Sequence, residues 1–393
     1  MTTVILAALG ASFLIALIGT ALARILSVRL GFMDTPGTAG HLKASTGRVP
    51  NTGGIAIFAA IALPLLFAIV VARLPDHTGI AKMFPAVVPH LEGIRSVTTL
   101  AIALLGAMGV LHVMGLIDDR RALRAGPKLL VMCIVCAAFA AIFNELRLLR
   151  IVDTWTGVPG GSYILTVLWF VVVTNAMNFM DNMDGLCAGV ASVCALCFMI
   201  GAWMNEQWFI ATALALLLGA CLGFLVFNIP FPGARRASIY MGDGGSLVIG
   251  FLLAFLTVKT TYIPESATGD AGAHVGGGLE GAGGWYAALM PIVVLAVPLY
   301  DFASVTLIRV LQGKSPFKGD QQHFSHRLRA RGLTPFQVLC VLCACAAITG
   351  LGGLMLRSLH DWAAALVGVQ TLLVLGVIAA LEYLVPGNRD DSL

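Results

Sequence analysis

Apolar runs of about 20 residues recur along the chain, separated by shorter polar stretches. Each run is long enough to cross a bilayer as a helix. The pattern predicts about 11 spans, at 4–23, 53–73, 97–117, 129–146, 163–180, 186–204, 208–228, 244–262, 286–309, 336–356 and 362–384. The expected fold class is all-α, a polytopic helical bundle forming one integral membrane domain over 1–393. The first run ends in Ala21-Leu22-Ala23, which resembles a cleavage site, but it is long and lacks a basic leader. It therefore reads as an uncleaved first helix with its N-terminus outside. Odd-numbered helices then run inward, and the inner loops are 24–52, 118–128, 181–185, 229–243 and 310–335. Most of the 24 Lys and Arg fall in these loops or at their edges, as the positive-inside rule requires. Residues 263–285 are Gly-rich and carry acids without Lys or Arg, which suits a flexible outer loop.

Composition agrees with this reading. The 393 residues are 59% hydrophobic and only 11% charged, against roughly 25% charged in a soluble domain. A sizeable soluble domain is excluded, and a net charge of +4 gives no reason to expect nucleic acid. Three cysteine pairs have C-x-x-C spacing: Cys133/Cys136, Cys194/Cys197 and Cys340/Cys343. A zinc or redox site needs thiolates and further ligands. Inside apolar helices these cysteines are expected to act as small packing residues.

The polar residues matter more for their placement than their number. Thr174 to Leu186, TNAMNFMDNMDGL, interrupts two apolar runs. Asn175, Asn178, Asp181 and Asp184 step by three, which on a helix gives one slowly drifting face. Carboxylates near hydrocarbon are costly and face a polar cavity or a partner. The plain alternative is a capping loop with Asp184-Gly185 as its turn.

The other inner loops add to this cluster. The first holds Asp34, His41, Lys43 and Arg48 before Pro50-Asn51-Thr52-Gly53-Gly54, read as phosphate-binding bases or simple positive-inside charge. The second holds Asp118-Asp119-Arg120-Arg121 and ends at Lys128; one of its adjacent acids could serve as a general base, or both could lie on a solvated helix end. The fourth runs from Asn228 through Arg235 and Arg236 to Tyr240-Met241-Gly242-Asp243, where Asp243 suits Mg²⁺ beside a diphosphate, an N-cap, or both. The last carries Lys314, Lys318, Asp320, His323, His326, Arg327, Arg329 and Arg331. It reads as an anion site for phosphates more readily than a zinc site, with a solvated basic loop as the alternative. Carboxylates for Mg²⁺ with bases for phosphate fit a nucleotide-diphosphate substrate, and the membrane context suggests a lipid co-substrate.

Four motifs in this order, DDRRALRAGPK at 118–128, NAMNFMDNMDGL at 175–186, FN at 227–228 with YMGDGGSL at 240–247, and HFSHRL at 323–328, resemble the polyprenyl-phosphate N-acetylhexosamine-1-phosphate transferases. This is the MraY/WecA type of glycosyltransferase family 4. The resemblance implies Mg²⁺-dependent transfer (Mn²⁺ being an acceptable substitute) of a sugar 1-phosphate from a UDP-HexNAc to undecaprenyl phosphate, with release of UMP. It implies a bacterial inner membrane enzyme with a cytoplasmic active site, and it allows a homodimer. It assigns metal binding to Asp243 and sets Asp181 among the positions that line the nucleotide pocket, while the spacing of Asp181 also allows it to reach the metal. Asp118 and Asp119 become the catalytic acids, Asp118 being favoured as base in a direct attack by the lipid phosphate. Asn175, Asn178, Asp184, Asn228 and Tyr240 become nucleotide-sugar residues, and Lys128, His323, His326 and Arg327 phosphate contacts.

Three departures stand out. The stretch between Asn228 and Tyr240 is longer than usual, the first loop lacks an Arg-Lys pair before His41, and HFSHRL lacks three consecutive histidines. The last feature is closer to the UDP-GlcNAc branch than to the peptidoglycan enzyme that uses UDP-MurNAc-pentapeptide. Outside this class stand a cation-coupled transporter and a catalytically silent lipid-binding homologue. The first would show mid-helix acids and repeat symmetry, and intact Asp118, Asp119 and Asp243 argue against the second.

Overall fold

The computed structural model describes residues 1–31, 33–34, 49–74, 79, 88–143, 146, 148, 153, 157, 160–229, 236–261, 284–315 and 322–383. His41, Lys43, Arg48, Arg235, Lys318, Asp320 and nearly all of the Gly-rich stretch lie outside these residues, as does the side chain of Asp34. The helices are α1 (Thr2–Leu30), α2 (Gly53–Arg73), the short α3 (Leu91–Ser96), α4 (Thr98–Arg120), α5 (Ala125–Ile142), α6 (Gly161–Met180), α7 (Leu186–Met204), α8 (Trp208–Asn228), α9 (Asp243–Thr261), α10 (Gly284–Val294), α11 (Ala296–Leu311), α12 (Phe324–Ala330), α13 (Pro335–Met355) and α14 (Asp361–Tyr383). Among the described residues ten helices are long and apolar enough to span a membrane. The protein is an all-α, multi-pass membrane protein, with a two-residue ribbon pairing Met33 with Pro50 and Asp34 with Val49.

The expected span at 286–309 is broken into α10 and α11 at Leu295. The reason is Pro298, which has no N–H for the carbonyl of Val294 four residues back. That carbonyl instead accepts the Cys194 thiol at 3.4 Å, so a neighbouring helix satisfies the freed group. A second difference concerns Asp118 and Asp119. They lie inside the last turn of α4, and the expected loop 118–128 shrinks to the four residues between α4 and α5.

The bundle has a clear centre. In α9, 89% of the apolar stretch is buried inside the protein, against 22% in α1, α5 and α14. Its sequence is apolar all round, as a core helix must be. It packs against α6, α4 and α2. Small residues allow the approach: a Cβ on Gly250 would lie 2.7 Å from the Thr174 Cα, and one on Gly115 would lie 2.5 Å from the backbone carbon of Asp243. On the outside, Leu14, Ile18 and Leu22 of α1 are more than half exposed and recur every four residues. Such an apolar exterior needs lipid as its solvent. The cysteines are free thiols, five of them buried in helix interfaces.

Close packing at Gly250 sets the spacing of α6 and α9, which carry Asn178 and Asp243. Gly250→Leu is expected to overpack this contact at a cost of roughly 1–3 kcal/mol. It should lower the melting temperature in detergent and reduce any activity with it. An unchanged melting temperature would show that the two backbones can separate freely.

Candidate active site

Three helix ends meet at one surface, and their unpaired backbone groups explain much of the site. The first N–H groups of α2, from Gly53 and Gly54, donate to the carbonyls of Tyr240 and Met241 at 3.0 and 2.9 Å. The N–H of Tyr240 donates to the Pro50 carbonyl at 2.8 Å. At the start of α9, the Asp243 and Gly244 N–H groups donate to the Asp119 carboxylate at 2.8 and 3.1 Å. Asn51 Nδ2 donates to the same carboxylate at 3.1 Å. Asp119 thus caps a helix other than its own, and an anion there is favoured by the helix dipole. Gly242 is required at the junction. Its φ of +71° is left-handed, and a Cβ would lie 2.5 Å from Asp119 Oδ2.

The neighbouring acid is used differently. Asp118 Oδ1 accepts the Leu123 N–H at 2.6 Å, which tightens the α4–α5 turn. Its Oδ2 accepts Lys128 Nζ at 2.8 Å. Lys128 also bonds Asp243 Oδ2, so one ammonium joins the two carboxylates. Asp243 Oδ1 accepts Asn178 Nδ2 at 2.9 Å, and the same amide donates to Ser246 Oγ at 2.9 Å. All three charged groups are 11–17% exposed at the side chain. Three carboxylates and one ammonium thus gather where the end of α4 meets the starts of α5 and α9. Hard carboxylate oxygens of this kind suit a divalent cation.

Thr174 to Leu186 is split among several tasks. α6 stops at Met180, so the three-residue ladder does not stay on one face. Asn175 donates to the Val171 carbonyl of its own helix at 2.8 Å and reaches toward Met132 of α5, while Asn178 faces α9. Asp181 is the C-cap residue of α6. Asp184 Oδ2 accepts the Ala237 N–H at 2.7 Å. Asn228 is buried and works in both directions, accepting the Gly185 N–H at 2.8 Å and donating to the Ile239 carbonyl at 2.9 Å. Tyr240 is 4% exposed, packed with Val49 and Ala237.

The histidine helix α12 docks on the same end of the bundle. Ser325 Oγ donates to Asn182 Oδ1 at 2.5 Å, and the His323 ring meets Phe179 edge-on at 5.4 Å. His323 and His326 have ring centres 6.4 Å apart. Arg327 is bound within the protein: it pairs with Glu382 at 2.9 Å, donates to Ser304 Oγ at 3.2 Å and bonds the Gln322 carbonyl. The expectation of a phosphate contact from Arg327 therefore meets a guanidinium engaged by a buried carboxylate, which sets the docking of α12 on α14.

Sequence reasoning missed His112, Asp301 and Glu382. His112 stacks on Phe58 at 4.5 Å and bonds the Gly244 carbonyl through Nδ1 at 2.7 Å, one residue from Asp243. All three lie in apolar runs, where an isolated ionisable residue is itself a functional signal.

The family comparison falls on this geometry. Residues 101–261 match the model of glycosyl transferase family 4. The matched segment runs from α4 to α9 and carries Asp118, Asp119, Lys128, Asn178 and Asp243. Full-length relatives extend the similarity. A probable undecaprenyl-phosphate N-acetylglucosaminyl 1-phosphate transferase of Bacillus subtilis is 26% identical, with 95% of this chain and 91% of the relative covered. The undecaprenyl-phosphate alpha-N-acetylglucosaminyl 1-phosphate transferase of Escherichia coli K12 is 25% identical, covering 92% and 85%. Its Salmonella typhi counterpart is 26% identical, covering 86% and 79%.

The two adjacent acids should separate experimentally. Asp119→Ala leaves backbone N–H donors without their acceptor, and each such loss costs about 1–3 kcal/mol; a large drop in melting temperature is expected. Asp118→Asn keeps the side-chain shape and should melt close to wild type. Equal melting of both variants would remove the capping role from Asp119.

Proposed function

We propose that this protein transfers GlcNAc 1-phosphate from UDP-GlcNAc to undecaprenyl phosphate, releases UMP, and so initiates a cell-envelope glycan at the bacterial inner membrane. The observation that carries the reading is the Lys128 bridge between Asp118 and Asp243, set within the matched segment of a multi-pass membrane protein. The transferase names of the full-length relatives support the lipid acceptor and the sugar. Basic residues at the same helix ends support a cytoplasmic site with the N-terminus outside.

The residues fit Mg²⁺. Asp243 offers a hard carboxylate oxygen where Lys128 now bridges it to Asp118, and Asn178 braces it. Among the described residues no cluster of three or more His, Cys, Asp or Glu is gathered for a metal. The protein would thus supply one or two ligands and leave the rest of the shell to phosphates and water, as Mg²⁺ prefers. Bound there, Mg²⁺ would neutralise charge on the diphosphate and on the departing UMP.

The residues then divide the work. Asp118 takes the remaining proton from the lipid phosphate, whose oxygen attacks the sugar-bearing phosphorus of the donor. The bond from that phosphorus to the UMP oxygen breaks, and the sugar phosphate ends joined to the lipid through a new pyrophosphate. Lys128 neutralises phosphate charge as it exchanges its carboxylate partners for substrate oxygens. Asn178 holds the Asp243 carboxylate in place, and Asp119 fixes the start of α9 on which it stands.

Purified protein given labelled UDP-GlcNAc, Mg²⁺ and undecaprenyl phosphate should yield labelled lipid and UMP in equal amounts, and UDP-MurNAc-pentapeptide should not replace the donor. Chelation should stop the reaction, with Mg²⁺ or Mn²⁺ restoring it. Absence of lipid product with every UDP-HexNAc would overturn the reading. Asp243→Asn should abolish turnover in a folded protein. Asp118→Asn should lower kcat by about 10²–10⁴-fold, the usual contribution of a positioned base, while donor binding stays near wild type. Parallel loss of donor binding would give Asp118 a binding role instead.

A further inference from the structure

We infer that Asp301 is the positioning residue for His323, and that its buried carboxylate sets both the imidazole and the start of the helix that carries it. The inference rests on the transferase reading above, in which His323 contacts the donor diphosphate. Asp301 lies in α11 and is fully buried. Its Oδ2 lies 2.8 Å from His323 Nδ1, and its Oδ1 accepts the Phe324 N–H at 3.0 Å. His323 is the N-cap residue of α12 and makes no side-chain cap bond of its own. The capping oxygen therefore arrives from a different helix.

The chemistry requires a carboxylate. An ionised carboxylate accepts and cannot donate, so Nδ1 of His323 carries a proton and Nε2 is the nitrogen left for a ligand. Both groups facing Asp301, a ring N–H and a backbone N–H, are donors. An asparagine has the same shape but only one acceptor oxygen, and its amide would confront one of the two donors. The ring is further fixed by Phe179, which meets it edge-on at 5.4 Å and follows Asn178 in sequence. Ser325, bonded to Asn182, ties the same short helix to the 181–185 turn. Asp301 thus ties α11 to a ring that rests on Phe179 of α6, the residue after the one that holds Asp243. Its role parallels the acids that orient catalytic histidines elsewhere.

The test is a double-mutant cycle in the full-length protein, with Asp301→Asn, His323→Ala and the double variant assayed for UMP release. Asp301→Asn should lower kcat/KM for UDP-GlcNAc at least tenfold, while KM for undecaprenyl phosphate stays within twofold. In the His323→Ala background the same change should cost less than twofold. Equal losses in both backgrounds would overturn the inference, as would an Asp301→Asn variant with wild-type kinetics. Should Asp301→Asn fail to give a monodisperse detergent peak, Asp301→Glu keeps two acceptor oxygens on a longer arm and takes its place in the cycle under the same criteria. Wild-type protein without any transferase activity would instead sink the underlying functional reading.

Discussion

The Asp119 carboxylate accepts N–H groups from Asn51, Asp243 and Gly244, and it does so where three helix ends come together. Without that acceptor, the first turn of α9 would present bare donors at the edge of the hydrocarbon, an arrangement with a high cost. The bond fixes the height of α9 relative to α4, and through Asn51 it draws the entry to α2 into the same knot. Asp243 is the first residue of α9, so its carboxylate is placed by the bond its own backbone makes. Placement of the Asp243 carboxylate and capping of α9 are one construction here.

Electrostatics acts within that frame. Lys128 stands one turn into α5 and reaches both Asp118 and Asp243. Partly buried carboxylates this close would repel strongly without an intervening cation. The side chains on either side are held by neutral donors: the Leu123 N–H for Asp118 and the Asn178 amide for Asp243. A second network, from Asp301 and Glu382 to the histidine helix, also sets buried carboxylate oxygens against donors.

Much of this was legible in the sequence. Apolar run length placed most of the spanning helices closely, because lipid forces every spanning backbone to satisfy itself. However, α1 runs on to Leu30, and α5 covers Ala125–Ile142 rather than 129–146. The motif acids and amides did converge on one end of the bundle. Roles within the motifs were less legible. Adjacent Asp118 and Asp119 differ only in what they face, and that depends on how α4 meets α9. The Asn175–Asp184 ladder assumed a helix that ends at Met180. Arg327 looked like a phosphate ligand because its partner, Glu382, lies 55 residues away in sequence. The break at Leu295 had a visible cause in Pro298, but the thiol that satisfies the Val294 carbonyl comes from another helix.

Asn228 has a consequence for how the stretch after α8 can change. Together with the Phe227 carbonyl, which accepts the Ser238 N–H at 2.9 Å, it closes the chain at the base of the stretch that follows α8. The two ends of that stretch are therefore pinned, and Asp184 anchors the far end again at Ala237. Lengthening a loop between fixed ends costs little, about 0.6 kcal/mol per doubling. Residues can be added between Ile229 and Arg236 without moving Tyr240 or Asp243. Length can thus vary in this stretch while Asp243 stays still.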